Sequence, residues 1–197
     1  MEPLSVMEKI ALDFQDEIPE PLPFLVEDHP LLRRISDPIK DLTAKETKKI
    51  SLQLFETIKA AGGGFGLAAP QVGISKRLFI CSFDWKIETI IPIINPRYKP
   101  IEDEMETHWE ACFSVPMAYG NVMRYKKIRC SYQTIDGAEI NAELEGIKAR
   151  VFQHEYDHLD GILYPDKCID LRVFDDPDEL QNFRLWVRKE REKAGYL

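Results

Sequence analysis

Two histidines four residues apart, His154 and His158, with Glu155 directly after the first, limit what this chain can fold into. On an α-helix, residues i and i+4 lie one above the other, so both imidazoles can point at a single metal ion. Glu155 then sits beside that ion, where its carboxylate can reach a water. A surface helix that happens to carry two histidines would show the same letters. The flanking residues argue for a buried helix instead. Ile147, Ala149, Val151, Phe152, Tyr156 and Leu159 cover more than one helical face. A buried helix must satisfy its polar groups internally, and a bound cation does this for two histidines and a glutamate.

A catalytic metal site usually takes three protein ligands and keeps a position for water. Carboxylates are plentiful here, so a glutamate-completed protease site is one option. The stronger candidate is Cys112, within Trp109-Glu110-Ala111-Cys112-Phe113-Ser114-Val115-Pro116. A thiolate is soft, and beside a cation it deprotonates readily, which suits iron(II), zinc or nickel. The other cysteines, at 81, 130 and 168, form no C-x-x-C pair and read as small buried hydrophobes.

At 197 residues the chain is expected to form one domain. Its formal net charge of −8 argues against a general nucleic-acid binder, so no DNA partner is expected. No apolar run approaches the ~20 residues of a membrane span, and the N-terminus lacks the basic and apolar regions of an export signal. Cytoplasm is the expected compartment, with no membrane partner.

Residues 1–26, with Pro3, Pro19, Pro21 and Pro23, read as an N-terminal extension carrying a short helix near residues 5–16. Thr43 and Glu46 form a capping-box pattern ahead of a helix whose apolar positions are Ile50, Leu54, Phe55, Ile58 and Ala61. Gly62-Gly63-Gly64 stops it. The following Gly64–Gly73 loop is too small and flexible to pack alone. It suggests backbone that comes close to a ligand or to another segment, and it lacks the Lys-Ser/Thr of a phosphate loop. Residues 77–83 and 89–95 read as strands, with Pro92 moving the second to a sheet edge. The acidic stretch 101–110 reads as a surface connection. Alternation at Ile128, Cys130, Tyr132 and Thr134, the pair Asp136-Gly137, and Ile140, Ala142 and Leu144 predict a hairpin with a two-residue turn. A last helix is predicted from a cap at Asp176 to about Lys193. Its stripe of Leu180, Phe183, Trp186 and Val187 is expected on the body of the domain; its basic residues could instead meet a polyanion.

Three segments, in order, resemble the signatures of the peptide deformylase family: GFGLAAPQ (64–71), EACFSVP (110–116) and HEYDHLDG (154–161). The stretch HPLLRRISDPI and the segment around Arg124 are also similar, and the resemblance runs from about residue 27 to 168. It implies an α+β fold with antiparallel β-sheets packed around a central metal-binding helix. The catalytic domain would span 27–170, with 171–197 a helical tail packed on it. It implies removal of the formyl group from the N-terminal formyl-methionine of nascent polypeptides. Cys112, His154 and His158 would hold one divalent ion, Fe(II) natively, with Zn, Ni or Co in purified protein. Glu155 would act as general acid/base, taking a proton from a water activated at the ion, which attacks the formyl carbon. Gln71 and the backbone N–H of Phe113 would stabilise the oxyanion. Gly64, Phe65 and Gly66 would pair with the substrate as an added strand, and Phe65, Ile147 and Val151 would wall the methionine pocket. The partner implied is the formylated nascent peptide, with a ribosome contact through the C-terminal helix the accompanying reading. The family usually has Gly where this chain has Ala111. A left-handed backbone there would cost about 1 kcal/mol with Ala, an extended one almost nothing, and the extended form is expected. The alternatives are a metalloprotease, an amide hydrolase for another N-acyl group, or a non-catalytic metal-containing binding module.

Overall fold

The structure, a computed structural model, describes residues 3–14 and 17–195. Along the chain the elements are α1 (Val6–Ala11), α2 (Lys45–Ala60), β1 (Gly66–Ala68), β2 (Leu78–Cys81), β3 (Ile91–Pro100), β4 (Met105–Cys112), β5 (Val115–Tyr125), β6 (Lys127–Gln133), β7 (Glu139–Glu145), α3 (Ile147–Leu159), β8 (Cys168–Val173) and α4 (Pro177–Lys193). The strands form two antiparallel sheets, ordered β1-β2-β3-β6-β7 and β4-β5-β8. This is the expected α+β architecture.

Strand periodicity shows how β2, in the larger sheet, is covered on both faces. In β2, Leu78 and Ile80 join Ile50, Leu54 and Ile58 of α2, whereas Phe79 and Cys81 join Ala149, Phe152 and Leu159 of α3. Successive side chains point to opposite faces, so a strand closed in by helices on both sides is apolar throughout, as Leu-Phe-Ile-Cys is. The helix carrying the two histidines is thereby held against the sheet by Phe152, whose ring meets Phe79 edge-on at 5.3 Å.

Several elements differ from the sequence expectation, each for a physical reason. Residues 101–110 are not a surface connection: β4 begins at Met105 and pairs with β5 along its length. Its charged residues belong to a strand whose inner face carries an ion pair, described below. β3 is an internal strand, yet its pairing with β6 begins only at Ile94, so Pro92 lies where β3 has a neighbour on one side alone. The α2 cap is not Thr43 with Glu46. Asp41 Oδ1 accepts from the backbone N–H groups of Thr43 and Ala44, both at 3.1 Å, and Ala44 is the capping residue. The hairpin turn is longer than two residues: Thr134 N–H donates to Ala138 O at 2.9 Å, and Gly137 takes φ +87° between them.

The helix expected near 5–16 spans Val6–Ala11, with a Ser5/Glu8 capping box; residues 15 and 16 lie outside the described residues. It is not a loose arm. Met7, Ile10 and Phe14 enter the core built on α2, with Met7 only 1% exposed. In α4, Asp176 accepts from Asp178 N at 2.9 Å, as expected of the cap. Phe183 and Val187 are buried against Tyr119 and Trp109, whereas Trp186 remains 44% exposed. Among the described residues no helix is long and apolar enough to cross a membrane.

Met7→Ala leaves a cavity beneath α2, so urea unfolding of this variant is expected to show a loss of about 2–5 kcal/mol. A loss under 1 kcal/mol would show that the first helix rests on the surface.

Candidate metal centre

Cys112 ends β4, and the pairing of Cys112 with Val115 leaves Phe113-Ser114 as a two-residue link to β5. This tight return holds the thiol over the C-terminal half of α3. Its Sγ lies 3.3 Å from His158 Nε2. One ligand atom from each of Cys112, His154 and His158 falls within 4.8 Å of the others. His154 Nδ1 is bonded to Glu110 Oε2 at 2.8 Å, which directs the other ring nitrogen to the cluster. His158 Nδ1 and Glu155 Oε2 are buried without a hydrogen-bond partner. One soft sulfur and two imidazoles at this spacing suit a divalent first-row ion.

Glu155 is 5% exposed, and burial pushes its carboxyl up to about 7, against the pull of His154 and Arg124. A dication in the neighbouring donor set favours the ionised form. The carboxylate fits because residue 66 has no side chain. A Cβ on Gly66 would overlap Glu155 Oε1 and sit 2.7 Å from its Cδ. Gln71 is held from behind, its Oε1 accepting from Ala68 N at 2.8 Å. Its amide nitrogen then faces Cys112 Sγ at 3.1 Å and Ser114 Oγ at 3.4 Å.

Behind the ligands lies a buried ionic network that sequence reasoning missed. Arg124 grips Glu110 with Nε to Oε1 at 2.6 Å and Nη2 to Oε2 at 2.8 Å, and reaches Asp157 Oδ2 at 2.8 Å. Arg150 adds Nη1 to Glu110 Oε1 at 2.7 Å, and Lys167 donates to Asp157 Oδ1 at 2.6 Å. Burial alone would push the Glu110 carboxyl up, but the Arg124 guanidinium and its hydrogen bonds hold it well below the usual range. One available signal was Arg150 and Asp157 in a helix read as buried, since each needs an opposite charge. Another was Glu110, two residues before Cys112 and so on the same face of a strand.

The remaining residues singled out from sequence surround this centre unequally. β1 is the edge of its sheet, so Gly66 has a neighbouring strand on one side only. Gly64 runs beside Phe113, whose ring stacks on Phe24 at 4.5 Å. Ile147 and Val151 lie one turn apart on α3, and Ile147 opens on a cleft shared with Trp85. Phe65, 39% exposed, contacts Trp85 edge-on. Ala111 is exposed on β4 and is not among the residues with left-handed backbone.

The chain was compared with known proteins. A family model described as polypeptide deformylase matches residues 21–173. Peptide deformylase 1 of Bordetella pertussis is 41% identical over 152 residues, covering 74% of this chain and 86% of that protein. The peptide deformylase of Symbiobacterium thermophilum is 39% identical over 169 residues, covering 84% and 76% respectively. Among solved structures, the peptide deformylase of Thermotoga maritima is similar with TM-score 0.72 and 36% identity, covering 77% of this chain and 100% of that one. An actinonin-bound class I type b peptide deformylase from Acinetobacter baumannii gives 0.69 and 30%, covering 76% and 99%.

Glu110→Gln keeps the shape of the side chain and removes the charge that orients His154. A chelator-competition titration is expected to show metal held about 10–100-fold more weakly. Unchanged affinity would mean that His154 is oriented by something else.

Proposed function

The chain belongs to the polypeptide deformylase family, and from that premise we propose how its own residues carry the reaction. It is an enzyme, a metal-dependent hydrolase that removes the formyl group from the N-terminal formyl-methionine of new polypeptides. The observation that carries the site assignment is the meeting of Cys112 from β4 with His154 and His158 from α3, with Glu155 packed against Gly66. Cys112, His154 and His158 are the metal ligands. We take Fe(II) as the native ion, with Zn, Ni or Co able to replace it, since a mixed thiolate and imidazole set accepts several such ions. When bound, the ion supplies Lewis acidity, lowering the pKa of a water and polarising the formyl oxygen.

The protein groups do the rest. Glu155 accepts a proton from the attacking water and returns it to the leaving amine. Gln71 and the backbone N–H of Phe113 donate to the oxygen on which charge develops. The Gln71 amide is neutral and anchored by its own oxygen, so it can donate without forming an ion pair with Glu155. The open edge of β1, continued by Gly64 and Phe65, pairs with the substrate backbone as an added strand. Phe65, Ile147 and Val151 wall the methionine side chain. Residues 27–170 form the catalytic domain, 1–26 its N-terminal extension and 171–197 a helical tail whose described residues pack on it through Phe183 and Val187. We place the enzyme in the cytoplasm, meeting its substrate at the ribosome through α4. That helix exposes Arg184, Arg188, Lys189 and Lys193, of which Arg188 pairs with Glu192 and Lys193 with Glu190.

Metal-loaded protein is expected to release formate from a formyl-methionyl peptide. Glu155→Gln should lower kcat by about 10²–10⁴-fold with metal retained, and Gln71→Ala by about 10²–10³-fold. Cleavage of internal peptide bonds without formate release would return the metalloprotease reading. Replacing Arg184, Arg188 and Lys189 by Glu should leave turnover of free peptide unchanged and weaken co-sedimentation with ribosomes. Undiminished co-sedimentation would remove α4 from that role.

A further inference from the structure

Trp85 has φ +65°, a left-handed backbone that a bulky side chain rarely adopts. Strain of this kind persists only where the surroundings over-determine it, and here they do. Ser82, 2% exposed, organises the loop through its hydroxyl, which lies 3.0 Å from Thr89 Oγ1 and accepts from Lys86 N at 3.1 Å. Thr89 Oγ1 also donates to the Asp84 carboxylate and lies 2.9 Å from Lys86 O. The backbone N–H of the same Ser82 donates to Phe65 O at 2.9 Å. One buried serine therefore sets the register of Phe65 and folds the loop that brings Trp85 back to it. The two rings meet edge-on with centroids 4.5 Å apart and planes at 85°. On its other side Trp85 lines an open cleft of about 440 Å³ together with Phe83, Ile147 and Lys148.

We propose that Trp85 is a positioning residue for the substrate, holding the Phe65 ring at the wall of the methionine pocket. The inference rests on the reading of Phe65 and Ile147 as substrate-facing residues and extends it to a loop outside the three signature segments. Phe65 is 39% exposed, on the last residue before an edge strand, and Trp85 is the aromatic ring the structure sets against it. Without that ring the phenyl group can swing out into the cleft, and the pocket loses a fixed side. The metal ligands and Glu155 do not depend on this contact, so the loss falls on substrate binding and not on the chemical step.

Asparagine tolerates left-handed backbone, so Trp85→Asn removes the ring while keeping the loop conformation. On a formyl-methionyl peptide its KM is expected to rise about tenfold with kcat little changed, the pattern of lost ground-state binding. Metal content and melting temperature should match the parent protein, and Trp85→Phe should recover most of the KM. In a Phe65→Ala background, Trp85→Asn should add nothing. An unchanged KM overturns the proposal, as does a parallel loss of kcat and metal, or full additivity with Phe65→Ala. If the parent protein itself releases no formate, the deformylase reading fails first and takes this one with it. Activity in the parent with an unresponsive Trp85 sinks this inference alone.

Discussion

Glu110, 4% exposed, is shared by two guanidinium groups and an imidazole, and the placing of the candidate metal ligands depends on it. A carboxylate taken out of water costs several kcal/mol unless its lone pairs are met. Here Arg124 from β5, Arg150 from α3 and His154 from α3 meet them, so the charge that must be neutralised also binds the small sheet to the central helix. Asp157 repeats the arrangement one helical turn on, between Arg124 and Lys167. Burying such charges costs desolvation that their mutual attraction largely offsets, so the network is not itself an argument for stability. Its effect is to fix how β4 sits on α3, and therefore where Cys112 comes to rest.

That dependence explains which parts of the molecule were legible from sequence. The histidine spacing, the apolar faces of α3, the β6-β7 hairpin and the start and end of α4 are local patterns, with their signals within a few residues of the elements they specify. β4 was misread because an acid in solvent and an acid in a buried pair are the same letter. Glu106, Glu110 and their neighbours spell a surface loop until Arg124 and Arg150 are known to face them. The α2 cap was misread by a similar ambiguity, since Asp41 and Thr43 are both capable acceptors and only the path of the chain chooses between them. Met7 and Ile10 lie in a proline-flanked acidic stretch, and their burial depends on a helix forty residues away. Of the site itself, Cys112, His154, Glu155, His158 and Gln71 were singled out beforehand and the fold brings their side chains together. Glu110 and Arg150 were not, because their partners lie on other elements.

The arrangement divides labour between rigid and open parts. The candidate ligands come from a strand end and a buried helix, which hold position well. In the proposed reaction the substrate would meet β1, a three-residue strand at the edge of its sheet. Such an edge invites unwanted pairing with other chains, but β1 is only three residues long, and the proposed role turns its open side to a peptide backbone.

Gly66 carries a consequence of its own. The group that an added methyl would strike is a flexible carboxylate, not backbone, so a chain altered there can still fold, leaving Glu155 pushed aside. A mutational survey scored by solubility or melting would mark position 66 as permissive, while under the proposed role of Glu155 one scored by turnover would mark it as forbidden. The distance between those two rankings separates residues kept for chemistry from residues kept for architecture.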